Sequence, residues 1–166
     1  VETAECWAAS LETSSTPSVL SLSRQGLPCL RTEHTDENLS SKGGYVLAEA
    51  ETKRDVTLIA TGSEVAIAME ARDQLKAEGV SAAVVSMPCL DKFEEQSQDY
   101  RDKVTQPDTP VVVVEAAIEQ SWGKYLGRNG KFVGMSTFGA SAPANELYEH
   151  FGITTQNVVK AARQIV

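Results

Sequence analysis

Histidine is almost missing from this sequence, cysteine is sparse, and neither is placed for metal or nucleophilic chemistry. The two histidines, His34 and His150, stand far apart among 166 residues. A Ser-His-Asp or Cys-His arrangement has little to build on, so both are expected to be solvated or capping side chains. Cys6, Cys29 and Cys89 are odd in number and widely separated, with no CxxC. That excludes a disulfide framework or a zinc site and fits the reduced thiols of a cytoplasmic protein. GxGxxG, GxxxxGK(S/T) and HExxH are all absent. There is no basic run, and the formal charge is -8. Nucleic-acid binding draws its affinity from Lys and Arg neutralising phosphates, so that class is excluded. No stretch approaches the roughly 20 apolar residues of a membrane span. The opening VETAECWAAS has neither the basic nor the apolar region of a signal peptide.

What is present is a core and an alternation. Apolar residues make up 42% of the chain, enough for one ordinary domain. From residue 43 onward, strand and helix patterns take turns. Short apolar runs mark strands at Tyr45–Leu47, Asp55–Ala60, Ala82–Ser86, Val111–Val114 and Phe132–Met135. Between the second and third runs Thr61 and Glu64 fit a capping box, with Val65, Ala68, Met69 and Leu75 on one helical face and Gly79 as the stop. A short helix is expected around SQDYRDKV and a short helix or loop at SWGKYLG. Helices over PANELYEHFG and TTQNVVKAARQIV close the chain. Thr154 or Thr155 would cap the last, and Val158, Val159, Ala162, Ile165 and Val166 form its apolar stripe.

This pattern predicts a three-layer α/β/α domain with a mostly parallel five-stranded sheet. Parallel strands need long crossovers, and the link from Leu47 to Asp55 is too short to be one. The first strand should therefore be the antiparallel member. The first 42 residues do not fit the unit. They read as a helix end (TAECWAASLE), a lone strand at Ser18–Ser23, and a polar linker ending in two glycines. One helix and one strand cannot bury a core, and the chain opens on Val inside a helical pattern. These features suggest a piece of something longer.

Few residues offer chemistry on local grounds. ATGSEV is a strand–turn–helix junction whose amides could face an anion, though a simple helix cap explains it better. FGASAP, residues 138–143, reads as a turn with tight backbone packing. Trp7, Trp122, Tyr125 and Phe151 fall among polar neighbours, as interface aromatics or as lids of a small core. In SLSRQGLP, local sequence leaves Arg24 open between a solvated surface charge and a grip on an anion.

The motifs taken in order are more telling. LSRQGLP, SKGGYVL, LIATGSEVAIAMEA, VVSMPCLDKFEEQ, VVVEAA, SWGKYLG and MSTFGASAPANELYEHFGIT follow one another along the chain. Together they resemble the C-terminal end of a bacterial-type transketolase, across essentially the whole length. The resemblance implies a tail of the pyrimidine-binding domain plus linker at residues 1–42 and the C-terminal domain at 43–166. It implies a homodimeric, cytoplasmic transferase of the pentose phosphate pathway and Calvin cycle. That enzyme moves a two-carbon ketol unit from a ketose phosphate to an aldose phosphate, using thiamine diphosphate and Mg²⁺. The family's Gly-Asp-Gly metal motif, its histidine-rich segments and its cofactor-activating glutamate have no counterpart here. This chain is thus expected to hold no catalytic, cofactor or metal residue, to bind no cofactor alone and to be inactive by itself. Arg24 matches the family arginine that binds the sugar's terminal phosphate, with Ser23 and Gln25 as candidate supports. The chain departs from the family pattern at Glu119-Gln120, where an aromatic or small residue is common. The readings weighed against transketolase are the equivalent domain of another thiamine diphosphate enzyme, and a free-standing interaction or small-ligand-binding α/β domain.

Overall fold

The computed structural model describes residues 1–33 and 35–166; His34 lies outside the described residues. Helix α1 spans Glu2–Glu12, and a single 3-10 turn at Leu39–Lys42 leads into the sheet. The strands are β1 (Tyr45–Ala48), β2 (Val56–Ala60), β3 (Ala82–Ser86), β4 (Val111–Ile118) and β5 (Lys131–Met135). The intervening helices are α2 (Glu64–Ala77), α3 (Leu90–Glu94), α4 (Gln98–Thr105) and α5 (Gly123–Leu126). The chain ends on α6 (Ala144–Phe151) and α7 (Thr155–Arg163).

The sheet order is β1-β3-β2-β4-β5. β2 runs parallel to both neighbours, from Val56 opposite Ala82 to Ala60 opposite Ser86, and from Thr57 opposite Val111 to Ala60 opposite Val114. β5 is parallel to β4, and β1 alone is antiparallel, with Tyr45 opposite Ser86. The short link before β2 thus does what its length dictates.

Every residue of β2 and β3 is buried, as are Val111–Val114 of β4. Alternate side chains serve two separate cores. Leu58, Val84, Val112 and Val114 pack against Ala68 and Leu75 of α2 and Val158 and Ala162 of α7. Ile59, Val85 and Val113 point the other way, onto Phe93, Val104, Trp122 and Leu126. Full burial of one such side chain contributes about 1.5–3 kcal/mol. Trp122 is therefore a core residue, not an interface aromatic, because the turn before α5 folds its ring under the sheet. Trp7 is half exposed, at 51%.

Arg54 fastens the start of β2 from inside. Its guanidinium pairs through two 2.7 Å hydrogen bonds with Glu49 and donates a third, of 2.8 Å, to the Val104 carbonyl. A buried charge is tolerable only when its donors are satisfied in this way.

Two expectations do not hold. Residues Ser18–Ser23 form no strand; Val19 and Leu22 are exposed at 92% and 59%. β-propensity alone cannot order a strand that has no sheet edge to pair with. The loop at FGASAP is open instead of tightly packed: Phe138 is 98% exposed, and nothing lies within 4 Å of a Cβ placed on Gly139.

Where the backbone does approach closely is Gly43. Its φ is +81°, and a Cβ there would stand 2.3 Å from both the Cys89 carbonyl oxygen and the Phe93 nitrogen. Gly43→Ala is expected to lower unfolding stability by about 2–4 kcal/mol, from backbone strain plus the clash. Urea titration measures it; a variant as stable as the parent would show that residues 89–93 yield freely.

Candidate functional site

In a doubly wound sheet, ligands bind outside the carboxyl ends of the strands, where successive connections diverge. From β2 the chain crosses to β3 on one side, then returns to β4 on the other. The point of divergence therefore lies between β2 and β4. A cleft of about 670 Å³ opens there. Its floor holds Thr61, Gly62 and Glu115; Glu2 and Cys6 of α1 and residues 19–23 and 27–31 form its walls.

The floor is a cluster of carboxyls and hydroxyls. Thr61 donates its hydroxyl to Glu115 Oε2 at 2.7 Å, bridging the ends of β2 and β4. Glu64, buried in the first turn of α2, accepts from the Tyr148 hydroxyl of α6 at 2.6 Å and from Ser63 at 2.9 Å. The capping box does not form: Thr61 and Glu64 are both engaged elsewhere, and Ser63 at the N-cap makes no side-chain cap. Their spacing is right, but the Thr61 hydroxyl is turned to donate across the sheet to Glu115, and Glu64 accepts from Ser63 and Tyr148 instead of reaching back to an amide. Burial, against the Thr61 hydrogen bond and with Glu64 nearby, raises Glu115 to about 7. Burial and the Glu64 carboxylate raise Tyr148 to about 12. The turn's amides at Glu64 and Val65 bond back to Thr61 and Gly62. Amides so occupied, beside two carboxyls, make no anion cradle. Thr154 does cap α7, accepting from the Asn157 amide at 3.3 Å, while Thr155 donates to Glu70.

The wall is held by two carboxylates of α1, Glu2 and Glu5. Glu2 accepts from Tyr45 at 2.9 Å and from Ser86 at 2.5 Å. Arg31 forks onto Glu5 through two 2.7 Å bonds, and Ser40 adds its amide and its hydroxyl. The Arg31 pairing and the Ser40 bonds outweigh partial burial and lower Glu5 to about 2. Burial, with the Glu2 charge, pushes the Cys6 thiol up. A thiol so raised is a poor nucleophile.

The sequence-based candidates are dispersed. His150 is exposed, its ring edge-on to Phe151, and it makes no hydrogen bond among the described residues. Arg24 sits on an exposed bend, with no hydrogen bond or ion pair among the described residues, and Gln25 is exposed beside it. Ser23 and Leu27, flanking that bend, line the cleft. Glu5, Arg31 and Glu115 were missed; in sequence they are ordinary charged residues, and only the fold brings their partners to them.

Residues 43–154 match the family model described as the transketolase-like C-terminal domain. The chain belongs to the transketolase family. A transketolase of Sinorhizobium medicae is 54% identical over 167 residues, covering all of this chain and 24% of that protein. The solved transketolase of Leishmania mexicana superposes with a TM-score of 0.87 at 39% identity, over 99% of this chain and 23% of that one. A Pichia stipitis transketolase in complex with sedoheptulose-7-phosphate gives 0.86 at 35% identity, over 99% and 24%. The chain thus spans about a quarter of the length of these relatives.

Transketolase family membership raises the question of a metal and a cofactor. Among the described residues, no group of three or more His, Cys, Asp or Glu could hold a metal ion. The floor of the cleft offers the Glu115 carboxyl and no cation, which does not suit a diphosphate either. The residues present do not fit thiamine diphosphate with its cation. No helix among the described residues is long and apolar enough to cross a membrane.

Glu115 makes stability depend on pH. The folded chain keeps its proton up to about pH 7, whereas an unfolded carboxyl loses it near 4.5. Between these values the folded state binds more protons, so stability falls as pH rises and the loss is complete above about 7. Glu115→Gln stays neutral throughout. Its stability relative to the parent is expected to grow by about 1–3 kcal/mol between roughly pH 5 and 8, after allowance for partial exposure. Denaturant titrations at the two pH values check this, and a constant difference would refute it.

Proposed function

We propose that the chain acts as the C-terminal part of a transketolase: residues 1–42 are the tail of the pyrimidine-binding domain with its linker, and 43–166 the C-terminal domain. The observation that carries this is the match along the whole chain to transketolases several times its length. Joined to the rest of the enzyme, it serves transfer of a two-carbon ketol unit from a ketose phosphate to an aldose phosphate, in a cytoplasmic homodimer. Thiamine diphosphate supplies carbanion stabilisation in that enzyme, with Mg²⁺ anchoring it, on residues outside this chain. This chain contributes structural and dimer contacts and one substrate residue, Arg24.

The case for Arg24 combines its match to the SRQ motif with its setting. It is exposed and without an internal partner among the described residues, on a bend whose neighbours line a cleft at the carboxyl end of the sheet. A guanidinium offers phosphate a planar fork of donors that no other side chain supplies. The sedoheptulose-7-phosphate held by the Pichia stipitis enzyme is a substrate of the required chemistry.

In the full-length enzyme, Arg24→Ala is expected to weaken phosphorylated substrates by roughly 1.5–3 kcal/mol in kcat/KM, the worth of a charge-assisted contact. The unphosphorylated donor hydroxypyruvate should be little affected, and equal losses on both would argue against a phosphate contact. The chain by itself is expected neither to bind thiamine diphosphate with Mg²⁺ nor to turn over sugar phosphates. A tight, metal-dependent heat of binding in calorimetric titration would sink that expectation.

A further inference from the structure

The described residues of 13–38 contain no helix or strand, and Arg24 lies in their middle. A long irregular segment samples many conformations unless its ends are tied, and a phosphate contact is effective only if its arginine is already in place. The structure ties those ends together at Glu5. Glu5, in α1 upstream of Arg24, and Arg31, downstream of it, meet through two parallel 2.7 Å hydrogen bonds. Their side chains are only 12% and 10% exposed. Ser40 adds an amide bond of 3.1 Å and a hydroxyl bond of 2.7 Å to the same Glu5 oxygen, and Asn38 donates to the Glu5 carbonyl at 2.9 Å. The Arg31 guanidinium also lies over the Tyr45 ring, 5.2 Å from its centre, which fixes the pair to β1. Leu30 packs against the domain core beside it.

We infer that Glu5 and Arg31 are positioning residues: their clamp closes the base of the loop that carries Arg24 and sets that arginine for the substrate phosphate. The inference rests on the phosphate reading of Arg24. The clamp brings together residues 26 positions apart, so it closes the intervening loop at one point and removes the freedom of its ends. Neither residue needs to touch substrate. Arg31 is engaged by Glu5, Thr35 and Tyr45, while Arg24 is left with no internal partner among the described residues. One arginine is spent on structure and leaves the other for the ligand.

The test uses the full-length enzyme. Glu5→Gln is expected to raise KM for a phosphorylated substrate about five-fold or more, with kcat and the KM for hydroxypyruvate within about two-fold of the parent. On an Arg24→Ala background the same change should add less than about two-fold, because the group it positions is gone. Arg31→Lys, which keeps the charge and loses the fork, should fall between Glu5→Gln and the parent. Equal factors on both backgrounds, or equal loss with hydroxypyruvate, would make the clamp ordinary structure and overturn the inference. If Arg24→Ala itself leaves KM for the phosphorylated substrate unchanged, the phosphate reading fails first and the clamp's role falls with it. Thermal melting accompanies each variant. Should Glu5→Gln fail to fold, the cycle is run with Arg31→Lys, where additivity with Arg24→Ala again refutes the inference.

Discussion

A parallel sheet buried on both faces is the constraint from which the rest follows. β2 and the paired part of β4 are buried without alternation, so each face must be covered by helices. Covering both requires crossovers, and the crossovers from β2 to β3 and from β3 to β4 leave in opposite directions. The gap they leave at the carboxyl ends is the cleft. β4 runs on past the last residue of β2, which brings Glu115 above the gap and within reach of Thr61. The cleft and its acidic floor are thus consequences of how an apolar sheet is wrapped.

The walls obey different physics. α1 buries little apolar surface; of its residues only Ala9 is buried, and Leu11 and Trp7 face outward. Hydrophobic burial against this domain cannot hold such a helix. Charge-assisted hydrogen bonds do so instead, Glu2 to Tyr45 and Ser86, and Glu5 to Arg31 and Ser40. Bonds of this kind are directional, so they fix where the helix sits as well as that it sits there. A segment fastened by geometry in place of area presents its apolar side chains outward, available to whatever else the chain adjoins.

The domain from residue 43 was largely legible in the sequence because burial period and crossover length determine it. Five apolar runs gave five strands, and a link too short to cross over gave the antiparallel one. The family, too, was readable from the order of its motifs. What sequence could not supply was any contact made across the fold. Thr61 and Glu64 have the spacing of a capping box, but the cross-sheet carboxylate of Glu115 and the distant hydroxyl of Tyr148 claim them. Ser18–Ser23 has the composition of a strand and no edge to join. Trp122 has polar neighbours in sequence and an apolar core in space. In each case a partner tens of residues away outweighs the local signal, and spacing carries no record of it.

The acid that fastens the wall and the acid in the floor of the cleft behave as different components. Glu5, near 2, is a fixed counter-charge across the neutral range. Glu115, near 7, changes its charge in the physiological range. The wall that sets shape is therefore indifferent to the medium, while the floor that sets local potential follows it. A small acidification would make the cleft less negative without moving its frame. The mould keeps its form while its polarity is tuned.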